Sequence, residues 1–162
     1  MDEHRSGFRE GRDSLKTLLI AQPKEMIGAF VNIRQNFPPD TSWGNYNALG
    51  LITGGTLVAG VIYNCFEGTN VNMHIGAVEG SKWMTREFLH AAFDYPFNQM
   101  KKRRVSACIH SKRKKAVSFV EHLGFEFEGR RKNYYEDGDM LCYGMLREKC
   151  RFIGHSLDRK AA

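Results

Sequence analysis

His74 is the side chain in this sequence best suited by type to move a proton. It falls in the run Val71-Asn72-Met73-His74-Ile75-Gly76, where strand alternation puts it on the same face as Asn72. An unperturbed imidazole titrates near pH ~6.5, so it takes up or gives away a proton close to neutrality. A hydrogen-bonded core histidine is the competing reading of the same residue. Tyr134 and Tyr135 bring two adjacent phenols, each suited either to donating a proton or to anchoring a strand by its ring. Cys108 and His110 share a face two positions apart, but the thiol lies in an apolar run with nothing else to lower its pKa, so a cysteine-nucleophile route carries little weight. Cys65, Cys108, Cys142 and Cys150 show neither CxxC nor Cys/His ligand spacing, which points to reduced thiols, no metal and a cytoplasmic setting.

The bulk properties bound the rest. The chain has 162 residues, enough for one domain with a sizeable core. Hydrophobic residues make up 42% and charged residues 26%, and no apolar run approaches the ~20 residues of a membrane span. No apolar stretch follows Met1-Asp2-Glu3-His4-Arg5, so the start does not read as a secretory signal. The net charge of +6 is lopsided: residues 1–100 carry −2 and residues 101–162 carry +8. Lys101-Lys102-Arg103-Arg104 and Lys112-Arg113-Lys114-Lys115 flank one short apolar run, which places them at the two ends of a strand. Such a half suits a phosphate-rich ligand or nucleic acid; a solvated basic surface is the plainer reading.

The elements that must position these groups follow from periodicity. Residues 1–14 read as a polar arm and 154–162 as a polar tail. A weak first strand over Leu15–Ala21 is followed by a helix from Lys24 to Ile33, with Pro23 at its start and Pro38-Pro39 behind it. Tyr46–Ile52 and Leu57–Tyr63 are apolar runs joined through Gly54-Gly55, a pair that supplies the positive φ angles of a tight hairpin. A third strand spans Val71–Gly76. Thr85 is placed to cap a helix burying Phe88, Leu89, Ala92 and Phe93, which Pro96 ends or kinks. After the strand Val105–Ile109, Ala116, Val120 and Leu123 form a helical stripe that stops at Gly124. Phe125 and Phe127 then alternate with Glu126 and Glu128 as a strand, and Asp137-Gly138 turns into a last one.

The residues at that helix stop are also distinctive in kind. Leu123-Gly124-Phe125 followed by Glu128-Gly129-Arg130, and then Asp139-Met140-Leu141-Cys142-Tyr143-Gly144-Met145-Leu146-Arg147, resembles the end of the GNAT (GCN5-related) N-acetyltransferase core, particularly its ribosomal-protein and N-terminal acetyltransferase branch. The resemblance spans about residues 45–151. It implies an α+β fold: one domain with a central mixed, mostly antiparallel sheet, splayed middle strands and flanking helices.

The same resemblance implies acetyl-CoA as acyl donor and a primary amine, on a small molecule or a protein, as acceptor by direct attack. It places cofactor contacts at Ile75, Gly76 and Ala77, at the turn and helix start carrying Lys82, Thr85, Arg86 and Glu87, and at Arg113 and Phe119. Gly80–Thr85 departs from the family's (Gln/Arg)-x-x-Gly-x-(Gly/Ala) pattern: Trp83 stands at a glycine position and is expected to narrow the phosphate site, while the amides of Thr85, Arg86 and Glu87 point outward. The family's tyrosine acid, four residues before the glycine of Leu-Gly-Phe, is Val120 here. That leaves Tyr134, with Tyr135 beside it, as candidate acid, while His74, on the strand beside the implied thioester site, is the candidate base, with an ordered water chain as the alternative. The alternative is a catalytically silent protein of this fold whose basic half contacts nucleic acid or an acidic partner. A monomer and a homodimer are both compatible with the sequence, and no membrane partner is expected.

Overall fold

The computed structural model describes residues 16–154. The expected arm before Ser14 and the tail after Gly154 lie outside the described residues. The described elements run β1 (Thr17–Ile20), α1 (Lys24–Arg34), β2 (Tyr46–Thr53), β3 (Thr56–Glu67), β4 (Asn70–Ala77), α2 (Arg86–Asp94), β5 (Arg104–His110), α3 (Lys114–Leu123), β6 (Glu126–Tyr135) and β7 (Gly138–Leu146). They build a seven-stranded sheet in the order β1-β2-β3-β4-β5-β7-β6. All neighbouring strands are antiparallel except β4 and β5. The mixed, mostly antiparallel sheet expected from the sequence is therefore present.

Local chemistry explains the boundaries. Gly54 and Gly55 both have positive φ, 57° and 80°, which closes the β2–β3 hairpin with the twist its strands require. Pro23 caps α1 from an extended conformation. Thr85 caps α2, its hydroxyl accepting from the Phe88 amide at 3.2 Å. Gly124 ends α3 in the left-handed region at φ 104°, which no other residue reaches cheaply. At Pro96 the α-helical pattern gives way after Asp94 to a π-helical turn, Tyr95–Gln99, and the Ala92 carbonyl, four residues before the proline that has no N–H to offer, accepts from the Tyr63 hydroxyl at 2.6 Å.

The sheet is covered on both faces. On one, Phe88, Phe93 and Phe97 join Val61, Tyr63, Val71 and Val105 with Leu123 of α3, all essentially buried. On the other, α1 lays Ile27 and Val31 on Ala48 and Ile62. A row of glycines lets α1 come close: Gly50 pairs with Gly60, and Gly60 with Gly76, across three strands. A Cβ on Gly60 would stand 2.9 Å from both Ile27 Cγ2 and Val31 Cγ2, and one on Gly76 2.9 Å from Arg34 Cβ and 3.1 Å from Val31 Cα. Gly76 is thus a packing residue first, whatever its backbone offers a ligand. No helix among the described residues is long and apolar enough to cross a membrane.

Candidate active site

β4 and β5 run together only briefly. Asn70 pairs with Arg104, Val71 with Val105 and Asn72 with Ser106; beyond that the strands part. The closed end is fastened by Asn70 Oδ1, which accepts from Ser106 Oγ at 2.6 Å and from Arg104 Nε at 3.1 Å. β5 then commits its pairing to β7 as far as His110–Met140. The gap holds a cavity of about 400 Å³.

Strand alternation divides the cavity in two. Gly76 faces α1, so His74 does too, and the Asn72–Ser106 pairing places Cys108 and His110 on that same side. Gln35, Asn36, Phe37 and Pro38, following α1, complete this wall with Arg113 and Tyr135. Met73, Ile75, Ala107 and Ile109 face the other side, where Ala116, Phe119, Val120 and Leu123 of α3 and Phe125 form an apolar floor. One half of the cavity is therefore polar and the other nearly pure hydrocarbon.

The main chain of β4 supplies polar groups at the gap. Val78 donates to Val58 of β3, so even-numbered residues bond inward and odd-numbered ones turn their N–H and C=O toward the parted side. The Ile75 carbonyl accepts from the Gln35 side-chain amide, and Gln35 Oε1 accepts in turn from the Arg113 guanidinium. Arg113 is the residue before α3. Burial lowers its pKa, but a guanidinium stays charged at any physiological pH, so the cavity wall carries a cation.

His74 is held in one tautomer. Asn64 donates through Nδ2 to the Trp43 carbonyl at 3.2 Å, which fixes its Oδ1 as the atom facing His74 Nε2 at 3.0 Å. An amide oxygen only accepts, so Nε2 carries the proton and Nδ1 keeps the lone pair. Trp43 and Phe37 pack on the imidazole, with ring centroids 5.0 and 6.4 Å away. Desolvation lowers its pKa to about 4, so the ring is neutral at pH 7. Both sequence readings of this histidine meet here: it is hydrogen-bonded and packed, and it lines the cavity.

Of the two tyrosines, it is Tyr135 that lines the cavity, stacked on His110 at 4.6 Å with 17° between the rings. Burial, then Cys108, raises its pKa. Tyr134 is 53% exposed and meets Tyr135 edge-on outside the lining. The one-residue register shift in the β6–β7 pairing between Phe127 and Gly129 puts Arg131 and Tyr135, not Tyr134, on the face of His110, and single-strand alternation could not reveal it. His110 is spoken for: Nε2 lies 2.7 Å from Asp137 Oδ1, and Nδ1 accepts from the Lys112 amide at 3.1 Å. Burial pushes the Cys108 thiol up to about 11, which removes it as a nucleophile near neutrality. Val120 lies on the cavity floor, so no phenol enters from α3.

The turn between β4 and α2 departs from expectation at Thr85. The Thr85 amide does not point outward; it donates to the Trp83 carbonyl at 2.8 Å, leaving Arg86 and Glu87 as the first free amides of the helix. The Trp83 ring packs between α2 and α3, 5.9 Å from Phe88 and 5.5 Å from Phe119. Lys82, Arg86 and Glu87 are exposed around that helix start. Among the described residues no cluster of His, Cys, Asp or Glu is arranged to hold a metal ion.

The described fold is thus a central mixed sheet whose two middle strands part over a helix-floored cavity. The sequence model for the acetyltransferase (GNAT) domain matches residues 56–142, more than half of the chain, and the chain belongs to that family. No curated protein sequence matches it. Among solved structures, a mutant spermidine N-acetyltransferase of Vibrio cholerae superposes with a TM-score of 0.68 at 15% identity, covering 86% of this chain and 98% of its own. An IAA acetyltransferase of Bacillus cereus does so with a TM-score of 0.68 at 11% identity, covering 81% and 99%. At such identities these likenesses establish the shared fold alone.

Proposed function

We propose that the protein is an N-acetyltransferase that uses acetyl-CoA to acetylate a primary amine by direct attack. The observation that carries this reading is the parting of β4 and β5 beyond Asn72, which turns the polar main chain of Ile75 and Ala77 toward a cavity floored by α3. An extended pantetheine arm has amides spaced to pair with such an edge, and its apolar segments suit the Phe119–Val120–Leu123 floor. The Ile75 carbonyl now bonded to Gln35 is the acceptor a pantetheine amide would take. The free amides of Arg86 and Glu87, with Lys82 and Arg86 beside them, form the place for a diphosphate.

The roles of the residues follow from their sides. The β4 edge holds the thioester so that the amine approaches from the α1 side, where His74 stands. The amine nitrogen bonds to the carbonyl carbon and the carbon–sulfur bond breaks. Neutral His74 receives, at Nδ1, the proton that the nitrogen sheds. A pKa near 4 makes it a weak base, but once the carbon–sulfur bond has broken the nitrogen is that of an N-protonated amide, a strong acid, so the transfer runs downhill. Tyr135, protonated well past neutrality, donates to the departing sulfur. Tyr134 takes no part.

Isothermal titration with acetyl-CoA, followed by thiol release in the presence of amines, tests the reading. Saturable binding and amine-dependent thiol release are expected. No binding at tens of micromolar cofactor would leave a non-catalytic member of the family.

A further inference from the structure

The polar half of the cavity carries one kind of charge. Among the described residues no aspartate or glutamate lines it, and Arg113 contributes a guanidinium that bonds to the neutral amide of Gln35. Asp137, the carboxylate paired with the lining residue His110, lies 2.7 Å from that ring and 3.5 Å from Lys112. Other carboxylates on adjoining elements are also engaged: Glu121 with the Tyr143 hydroxyl, Asp139 with Arg130 and the Asn133 amide. A ligand with a second ammonium group would have to desolvate it beside a fixed cation and without a counter-charge, which is costly. A carboxylate entering the same space meets a half-buried planar fork that matches it in charge and shape.

Resting on the transferase reading above, we propose that the acceptor is an amine that itself bears a carboxylate, an amino acid with an apolar side chain, held by Arg113 while its amino group faces His74. Arg113 then belongs to the acceptor's half of the cavity. Its guanidinium is turned to Gln35 on the α1 side, with Tyr135 beside it, and the diphosphate falls to the start of α2. Phe37, Pro38 and Trp43 line or back the α1 wall and accommodate an aliphatic or aromatic side chain. The amino group loses its own proton before attack. The Arg113 cation disfavours a second positive charge beside it, and desolvation keeps His74 neutral at pH 7, so the surroundings favour the uncharged amine.

Matched pairs test this: L-phenylalanine against 2-phenylethylamine and L-leucine against isopentylamine, with spermidine as the polycation. Acetyl-CoA binding is confirmed first by calorimetry on the same full-length protein. The amino acids are expected to exceed their decarboxylated partners in kcat/KM by at least about tenfold, with spermidine below both. Arg113→Met should erase the difference within each pair while acetyl-CoA affinity stays within about twofold, which separates an acceptor role from a donor role. Equal or better turnover of the decarboxylated amines, a preference for spermidine, or no turnover of any amine with acetyl-CoA bound would each overturn the proposal. Failure to bind acetyl-CoA would instead remove the transferase reading beneath it.

Discussion

Asn64 Oδ1 lies 3.0 Å from His74 Nε2 across β3 and β4, and the Trp43 carbonyl dictates which way that amide points. The tautomer of the proposed base is thus set from outside the cavity. His74→Gln keeps size and polarity but removes the basic lone pair. It is expected to lower kcat about 100-fold while leaving acetyl-CoA affinity unchanged by calorimetry. Equal kcat in the variant would return His74 to a purely structural role.

The same burial has a consequence for stability. Folding lowers the His74 pKa from 6.5 to about 4. Between these values the unfolded chain takes up a proton that the folded chain refuses, so this contribution is complete above pH 6.5 and is lost as pH falls toward 4. Over the whole window the loss approaches about 3 kcal/mol. Urea midpoints followed from pH 7 to pH 4.5 should fall less steeply in His74→Gln than in the parent. Parallel slopes would mean that the imidazole is hydrated in the folded state.

Gly76→Ala tests the glycine row. The added methyl would meet Arg34 Cβ at 2.9 Å and Val31 Cα at 3.1 Å, and a backbone atom cannot rotate aside. Relief requires α1 to lift, at a cost of about 1–3 kcal/mol, or several degrees in Tm. The lift would also move Gln35–Pro38, so acetyl-CoA affinity should fall with stability. An unchanged Tm would show that α1 tolerates greater distance from the sheet.

Which of these features the sequence disclosed follows from how local their causes are. Gly54-Gly55, Thr85 and Gly124 announce their turn, cap and stop within a few residues, and each is found in that role. The three antiparallel strands β2 to β4 were equally plain from alternation and turn chemistry. The glycine row was not, because Gly50, Gly60 and Gly76 become neighbours only once register is known. Gln35 and Arg113 are 78 residues apart and carry no pattern that joins them. That Trp83 packs its indole between Phe88 and Phe119 was equally hidden, because the three rings meet only once α2 and α3 are placed.

Gln35 occupies a hydrogen-bond acceptor that the proposed donor needs. Its amide must leave the Ile75 carbonyl when a pantetheine amide arrives, so part of the binding free energy is spent on displacement. Gln35→Ala removes the competitor without touching the β4 main chain. Acetyl-CoA is expected to bind a few-fold more tightly, in line with a neutral hydrogen bond of about 1 kcal/mol. Weaker binding by calorimetry would mean that Gln35 contacts the ligand rather than standing in for it.

Tyr135 and Tyr134 offer an internal control for the acid. Both carry a phenol, but Tyr135 lines the cavity against His110 and Tyr134 is more than half exposed. Tyr135→Phe preserves the ring stack and deletes the proton, so kcat should drop by about 10–100-fold with little change in KM, while Tyr134→Phe stays near the parent. Burial raises the Tyr135 pKa above 10, so its acid form persists through the neutral and mildly alkaline range, and any fall in rate it causes must lie above pH 10. A thiol donor supplies the decisive comparison. With an acetyl thioester whose leaving thiol is more acidic than that of CoA, the departing sulfur needs less help, and the Tyr135→Phe defect should shrink. A defect of the same size for both donors would assign Tyr135 to positioning instead of proton transfer.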